Sequence, residues 1–328
     1  MKLFLGVDGG GSKTRFLLID EAGRVLGAHT TGTAYYLEIG IEGLEVLLTQ
    51  GIRTTLEQAG VSPGQLTYAF LGLPAYGEDR GLVPELDAAP SAALPHGRYR
   101  CGNDMVCGWA GALAGADGIN IVAGTGSIAY GEYAGRSARA GGWGELFSDE
   151  GSAYWLAREG LRLFSRMSDG RTPRGPLYER VRSHFALEED LDLCATVYGK
   201  SVAQRSQLAR LSKLVAEAAT SGDQAARGLF ASAVTELADI VDAVRAQLKV
   251  PHDEELPVSY SGGLFRLREL LLQPLEAALG RRAHRYRFLA ARLPPEAGAA
   301  LQAARLGGVP LAAPSVATLE SALRSQVA

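Results

Sequence analysis

The feature that most constrains this chain is a run of three glycines between two apolar segments near its start. The first segment, Leu3–Val7, is short and apolar, which is typical of a buried strand, and Asp8 follows it directly. The second segment, Arg15–Asp20, is apolar again. The pattern predicts a strand, a tight turn and a second strand, with the turn formed by Gly9, Gly10, Gly11, Ser12 and Lys13.

This turn has a composition that suits an anion. Consecutive glycines let the backbone turn tightly and bring its N–H groups close to a ligand, commonly a phosphate. A carboxylate at the end of the strand, here Asp8, can hold Mg²⁺ or its waters. A plain hairpin turn is the alternative, since Gly-Gly is a common turn dipeptide.

Two better-known glycine motifs are excluded. A P-loop needs lysine after its last glycine, but Ser12 follows Gly11, and the chain continues as a strand rather than a helix. The segment Gly124–Ala129 fits the dinucleotide-binding pattern, which must open a helix. Here Ile128–Tyr133 has the composition of a strand, so we reject this motif as well.

Length and composition indicate a globular protein of about two domains. The chain has 328 residues, of which 47% are hydrophobic and 21% charged, and its net charge of −3 gives no support for nucleic-acid or membrane partners. Cys101, Cys107 and Cys194 lack metal-ligand spacing, which favours buried thiols in a reducing compartment. No signal peptide or membrane span is evident, so a cytoplasmic location is expected.

The second half of the chain starts like the first. The apolar segment Ile119–Ala123 is followed by a glycine turn and a further strand to Tyr133, which suggests two lobes built on one plan. We predict lobes over residues 1–116 and 117–297, and a final helical segment, 298–328, that returns to the first lobe. Helical spacing also predicts long helices over 204–219 and 224–248, the latter with a core-facing apolar stripe.

Several motifs then occur in order: DGGGSKT at 8–14, GND ending at Asp104, GTGS at 124–127, GGWG…DEGSAYW at 141–155, SGG at 261–263 and ALQAARLGG at 300–308. Together they resemble the actin-like sugar-kinase superfamily, and within it the N-acetylglucosamine kinase and dehydratase-activator ATPase branch. The resemblance implies an α/β fold of two ribonuclease-H-like lobes, with ATP and substrate in the cleft between them.

The resemblance also implies roles for individual residues. Asp104 would be the catalytic base and also contact the sugar, and Asp8 would help to organise Mg²⁺. The ATP-binding residues would be Gly9, Gly10, Gly11, Ser12, Lys13, Gly124, Thr125, Gly126, Ser127, Ala209, Gly262 and Gly263. The sugar-binding residues would be Tyr35, Gly142, Trp143, Gly144 and Asp149.

Three of these residues also have simpler explanations. Asp104 precedes a predicted helix and could be its N-cap, while Asp149 could cap the helix that starts near Ser152. Trp143 could be an ordinary core residue. The order of the flanking motifs favours catalysis for Asp104, because phosphoryl transfer needs one carboxylate to accept the proton of the attacking hydroxyl.

Departures from the family pattern leave the sugar open. Relatives that act on N-acetylglucosamine commonly have an asparagine in the loop after the third strand, where this chain has Thr33, Ala34, Tyr35 and Tyr36, and Ile128 is apolar where some relatives are polar. We expect an ATP- and Mg²⁺-dependent kinase acting on the 6-hydroxyl of an amino sugar, first N-acetylglucosamine, with glucosamine or N-acetylmuramic acid as alternatives. A dehydratase-activator ATPase, a non-catalytic sensor and a homodimer remain open.

Overall fold

The computed structural model describes residues 1–199 and 204–325, and its contacts divide the chain into two compact units. The first unit comprises Met1–Asp117 and Ala290–Ala328, and the second comprises Gly118–Leu289. Within the described ranges, none of the helices has the length and apolar character needed to cross a membrane.

The first unit is a mixed sheet with helices packed against it. Its strands are β1 (Leu3–Gly9), β2 (Thr14–Asp20), β3 (Val25–Thr31), β4 (Tyr68–Leu73) and β5 (Tyr99–Asn103). Its helices are α1 (Tyr36–Gln58), α2 (Val83–Ala88) and α3 (Met105–Leu113), joined by α11 (Pro295–Leu306) and α12 (Ala313–Ser325) from the end of the chain. A 3₁₀ turn covers Pro63–Gln65.

The strand order in this sheet is β3-β2-β1-β4-β5. The first three strands are antiparallel neighbours, whereas β1, β4 and β5 run parallel. The carboxyl ends of these three parallel strands therefore lie at one edge of the sheet, where open α/β sheets usually bind their ligands. The strand that follows the triple-glycine turn is β2, so the rejection of a P-loop is confirmed.

The described residues of the second unit form five strands and seven of the labelled helices. The strands are β6 (Gly118–Ala123), β7 (Ser127–Tyr133), β8 (Arg136–Gly141), β9 (Leu256–Ser261) and β10 (Tyr286–Ala290). The helices are α4 (Ala153–Ser168), α5 (Pro176–Phe185), α6 (Asp192–Gly199), α7 (Arg205–Arg210), α8 (Ser212–Thr220), α9 (Gln224–Leu248) and α10 (Gln273–Gly280). Gly263–Arg266 forms a 3₁₀ turn and Arg268–Leu272 a π-helical turn.

The second sheet repeats the plan of the first. Its order is β10-β9-β6-β7-β8, and β6, β7 and β8 are antiparallel neighbours while β9 runs parallel to β6. The order of β6, β7, β8 and β9 therefore matches that of β1, β2, β3 and β4. The predicted α/β class and the common plan are confirmed, and β7 is a strand, as the rejection of the dinucleotide motif requires.

Three details differ from the sequence predictions. The helix predicted over 204–219 is broken at Leu211 into α7 and α8, with the Ser212 hydroxyl donating to the carbonyl of Ala209. Cys194 is exposed rather than buried, unlike Cys101 and Cys107. The chain joins the first unit from Ala290, ahead of the predicted segment, because the backbone N–H groups of Arg292 and Leu293 donate to carbonyls of α3.

Helix α11 packs on β1 and α3 with almost no side chain between the backbones. A Cβ atom built at Gly6 of β1 would lie 2.2 Å from the backbone nitrogen of Ala300. A Cβ atom built at Gly298 would lie 2.1 Å from the carbonyl oxygen of Cys107. Glycine is therefore required on both surfaces, and the small-residue stripe of α11 allows this approach.

We expect Gly298→Ala to destabilise the protein by about 1–3 kcal/mol, because the added methyl must push two backbones apart. Gly228→Ala is the matched control, since Gly228 is exposed within α9 and a Cβ there meets nothing within 4 Å. The control should gain about 0.5–1 kcal/mol from the better helix propensity of alanine. Urea denaturation of both variants measures the difference, and equal effects would contradict the packing described.

Candidate functional site

The first candidate region lies at the carboxyl ends of the parallel strands of the first unit. Asp8 is the penultimate residue of β1 and pairs with Gly72 of β4. Asp104 follows β5 directly, and a Cβ atom built at Gly72 would lie 3.1 Å from its Cα atom. The topology therefore brings the two aspartates predicted to act in catalysis and metal binding to the same edge of the sheet.

The side chain of Asp104 does not cap the helix that follows it. Helix α3 begins at Met105, and the backbone N–H of Met105 donates to Oδ1 of Asn103 at 3.1 Å. Asp104 occupies the N-cap position without a side-chain capping hydrogen bond. The capping explanation for an aspartate at this position is therefore not supported, and its role as the base stays a prediction.

Asp8 lies among other carboxylates in a crowded, partly buried position. Burial raises its pKa from the ordinary 3.8 to about 8, and the charges of Asp104 and Glu296 act in the same direction against Arg15 and Lys13. Glu296, at the start of α11, has its Oε2 atom 3.5 Å from Nη1 of Arg15, yet this buried atom has no hydrogen-bond partner. Carboxylate oxygens that repel each other in this way suit a hard cation.

The first glycine turn is held from one side and open on the other. The N–H of Gly10 donates to the carbonyl of Lys13 at 3.0 Å, and the Thr33 hydroxyl donates to the carbonyl of Gly10 at 3.1 Å. Gly11, Ser12 and Lys13 are exposed. Tyr35 lies next to this contact, since its N–H donates to the hydroxyl of Thr33.

The second glycine turn, between β6 and β7, is fastened to the start of α4. The N–H groups of Ala153 and Tyr154 donate to the carbonyls of Gly124 and Thr125, at 2.9 and 3.2 Å. The hydroxyl of Ser127 donates to the carbonyl of Glu150 at 2.6 Å. The DEGSAYW motif therefore supports the GTGS turn from beneath, which gives a structural reason for the two motifs to occur together.

Asp149 is part of this support and is not the cap of α4. Ser152 is the N-cap, and its hydroxyl accepts from the N–H of Trp155. The Asp149 carboxylate is buried and pairs with Arg205 at 2.5 Å. Burial raises the pKa of Asp149, while Arg205 and the N–H of Ser127 act against this rise. Its side chain thus lies under the turn predicted to bind phosphate, and its contact with the sugar stays a prediction.

The GGWG segment contradicts the core interpretation of Trp143. The Trp143 side chain is 69% exposed, with the Arg139 guanidinium 5.6 Å from the ring centroid. Gly142 and Gly144 both have positive φ angles, and a Cβ atom at Gly142 would lie 2.7 Å from Cδ1 of Ile128. An exposed indole on a glycine-bounded turn is available to a ligand.

The remaining predicted nucleotide contacts lie on two further elements of the second unit. Gly262 and Gly263 follow β9, which runs parallel to β6, so they share one sheet edge with the GTGS turn. A Cβ atom at Gly262 would lie 2.3 Å from the carbonyl oxygen of Ala123, and its φ of 106° also favours glycine. Ala209 is buried in α7.

Two charged residues near these sites were missed by the sequence analysis. Glu296 is one acidic residue in the first turn of a helix, and Arg205 is one arginine in a chain rich in them. Neither belongs to a motif, and only the fold brings them to Asp8 and Asp149. Among the residues with described positions, no group of three or more His, Cys, Asp or Glu side chains forms a ready metal site.

Comparison with known proteins assigns the chain to a family. The model of the BadF/BadG/BcrA/BcrD ATPase family matches residues 5–303. The chain belongs to this family. The predicted resemblance is therefore confirmed, and membership of this ATPase family implies that the protein uses ATP.

Individual relatives and a solved structure are similar to this chain over most of its length. N-acetyl-D-glucosamine kinase of Dictyostelium discoideum is 27% identical over 92% of this chain and 98% of its own. N-acetylmuramic acid/N-acetylglucosamine kinase of Clostridium acetobutylicum is 27% identical over 81% and 86%. The crystal structure of a proposed N-acetylglucosamine kinase of Chromobacterium violaceum is 28% identical, with a TM-score of 0.72 over 92% of this chain and 98% of its own.

The environment of Asp8 makes stability depend on pH. Because its folded-state pKa of about 8 lies above the ordinary 3.8, the folded protein keeps a proton that the unfolded chain loses across this window. The Asp8 contribution to stability therefore falls as the pH rises from about 4 to about 8. We expect Asp8→Asn to become progressively more stable relative to the wild type over this range, as measured by urea denaturation.

Glu296→Gln should lower the pH at which the Asp8 contribution to stability is lost, because one of the charges that raises the Asp8 pKa is removed. Glu42→Gln, at an exposed position of α1, is the control and should leave the profile unchanged. Superimposable profiles for the wild type and Asp8→Asn would contradict the elevated pKa.

The second glycine turn should tolerate a methyl group at one position and not at another. A Cβ atom at Gly126 would lie 2.4 Å from Nη2 of Arg205 and 2.7 Å from Oδ2 of Asp149, whereas one at Gly124 meets nothing within 4 Å. We expect Gly126→Ala to cost about 1–3 kcal/mol of stability and Gly126→Val more, with a matching loss of ATP affinity. Gly124→Ala should leave stability unchanged. Calorimetric titration and denaturation test both variants, and equal stability losses would refute the asymmetry.

Proposed function

We propose that this protein is an ATP-dependent kinase that phosphorylates the 6-hydroxyl of an amino sugar, with N-acetylglucosamine as the first candidate. The observation that carries the proposal is the position of Asp104 at the end of β5, beside β4 and near Asp8. The relatives described above, which are named for phosphorylation of N-acetylglucosamine and N-acetylmuramic acid, support the same reaction.

In the proposed reaction, Asp104 accepts the proton of the 6-hydroxyl while the hydroxyl oxygen bonds to the γ-phosphorus of ATP. The bond from that phosphorus to the bridging oxygen breaks, and ADP leaves with the electron pair. Backbone N–H groups of the two glycine turns bind phosphate oxygens, apart from those of Gly10, Gly124 and Ser127, which already donate within the protein. Lys13 adds positive charge. The products are a sugar 6-phosphate and ADP.

The Asp8 region fits the magnesium ion that such a reaction uses. The evidence is the pKa of Asp8, which burial raises first and the charges of Asp104 and Glu296 raise further, together with the buried Oε2 of Glu296, which lacks a hydrogen-bond partner. A bound Mg²⁺ would offset the negative charge of the transferred phosphate. Asp8 is the residue proposed to hold it, directly or through water.

Two aromatic residues are proposed to take part in sugar selection. Trp143 offers an exposed ring for the apolar face of a sugar, between Gly142 and Gly144. Tyr35 belongs to the loop in which relatives that act on N-acetylglucosamine commonly carry asparagine, and its N–H donates to the hydroxyl of Thr33, which contacts the first glycine turn. Because the loop after β3 has no asparagine, glucosamine and N-acetylmuramic acid remain alternative substrates.

The proposed compartment is the cytoplasm, which supplies ATP and suits the free cysteines.

The dehydratase-activator alternative gains no support from the cysteines. Members of that branch hold an iron–sulfur cluster at a dimer interface. Cys101 and Cys107 are buried, and burial raises the pKa of both thiols, which disfavours the thiolate that iron needs. Cys194 is exposed but belongs to the other unit of the chain.

We expect Asp104→Asn to lower the turnover number by at least about a hundredfold, because an amide cannot take the proton, while Mg-ATP binding survives. ADP release is followed with N-acetylglucosamine, glucosamine, N-acetylmannosamine, N-acetylmuramic acid and glucose, and ATP binding by calorimetry. Asp253→Asn, whose side chain is 97% exposed, serves as the control.

Near-normal turnover of Asp104→Asn would refute Asp104 as the base. Sugar-independent ADP release by the wild type would favour an activator ATPase, and Mg-ATP binding without any phosphorylated sugar would favour a sensor. Sedimentation of the same samples distinguishes a monomer from a homodimer.

A further inference from the structure

The buried carboxylate of Asp149 is paired with a cation, the guanidinium of Arg205, which stabilises its ionised form. Only 2% of the Asp149 surface is exposed, and its φ of 60° is unusual for a residue with a side chain. Its Oδ2 atom pairs with Nη2 of Arg205 at 2.5 Å. A buried carboxylate is costly without such a partner, so Arg205 makes the ionised form of Asp149 tolerable.

Arg205 also lies directly against the second glycine turn. Its Nη2 atom is 2.4 Å from the position of a Cβ atom on Gly126, so the guanidinium occupies the space that any side chain there would need. Its Nε atom is buried without a hydrogen-bond partner, 3.4 Å from Oε2 of Glu145. The guanidinium is thus fixed between the turn and two carboxylates.

The contact is transmitted to the backbone of the turn. The carboxylate of Asp149 accepts the N–H of Ser127, the last residue of GTGS, and this bond favours the ionised carboxylate. Arg205 is the first residue of α7, which also contains Ala209, the predicted nucleotide contact. One short helix therefore connects the predicted adenosine and phosphate regions of the second unit.

We propose that Arg205 is a positioning residue for the second phosphate turn: by pairing with Asp149 and filling the space beside Gly126, it fixes the backbone that receives ATP. This inference rests on the proposed function for its kinetic consequence, but not for its structural one. Arg205 acts through Asp149 and the turn, and it takes no part in proton transfer.

The central experiment compares Arg205→Gln, Arg205→Lys and Arg210→Gln in the full chain. Arg210 is the control because it is exposed at the other end of α7. For Arg205→Gln we expect the KM for ATP to rise at least about tenfold, as loss of a charge-assisted hydrogen bond predicts. The KM for the sugar, of which Asp149 is a predicted contact, should rise by a smaller factor. Arg205→Lys keeps the charge and should recover part of this loss.

Hydrogen exchange provides a readout that does not depend on catalysis. In Arg205→Gln, the amides of residues 124–128 should exchange faster than in the wild type, while those of β1 and β2 keep their protection. A second substitution, Asp149→Asn, removes the unpaired buried charge, so the double variant should regain stability relative to Arg205→Gln alone. This double variant keeps the test decisive if Arg205→Gln does not fold.

Equal exchange in the turn for the wild type and Arg205→Gln, or equal rises in the KM for ATP and for the sugar, would overturn the proposal. If the wild type phosphorylates none of the sugars, the proposed function fails, and the exchange rates of residues 124–128 still decide the role of Arg205. Faster exchange confined to the turn supports it in either case.

Discussion

Backbone contact between α11 and the sheet of the first unit is the constraint on which the rest of that unit depends. Gly6 lets β1 approach the backbone of α11, and Gly298 lets α11 approach the backbone of α3, so the end of the chain is seated against its first strand. The same packing fixes the start of α11, which carries Glu296. A segment almost 300 residues away in sequence thereby contributes a carboxylate to the surroundings of Asp8.

The two predicted phosphate turns are each accompanied by a buried or partly buried aspartate, but the charges are handled differently. Asp149 has Arg205 at hydrogen-bond distance, and this cation opposes the rise in the Asp149 pKa that burial causes. The pKa of Asp8 rises to about 8 because of burial first and the charges of Asp104 and Glu296 second, against the opposing effect of Arg15 and Lys13. The Asp149 site contains its own cation, Arg205, whereas the Asp8 site has the properties expected of a site that binds a metal ion.

Much of the fold could be predicted because its signals are local. Apolar segments ending in glycine turns define β1, β2, β6 and β7, and the small-residue pattern of α11 marks a close helix contact. The break at Leu211 could not be predicted, since the helical pattern continues through it and the break depends on tertiary packing.

The candidate site was predictable where residues belong to motifs, and not elsewhere. Asp8, Asp104 and the glycine turns stand in recognisable contexts, and the structure brings the first two to one sheet edge. Arg205 and Glu296 have no local signature, because ion pairing across dozens or hundreds of residues leaves no trace in spacing. Trp143 was ambiguous, since the amount of surface that a tryptophan exposes depends on its turn.

Because Trp143 is exposed, the intrinsic tryptophan fluorescence of this protein can report on ligand binding. The chain has three tryptophans: Trp109 is fully buried in α3, Trp155 is partly buried in α4, and Trp143 is 69% exposed. Indole emission depends on contact with water, so the three side chains differ in wavelength and in access to a dissolved quencher. Iodide or acrylamide would first suppress the light from the glycine-bounded turn, and a ligand that covers this ring would shield that component alone.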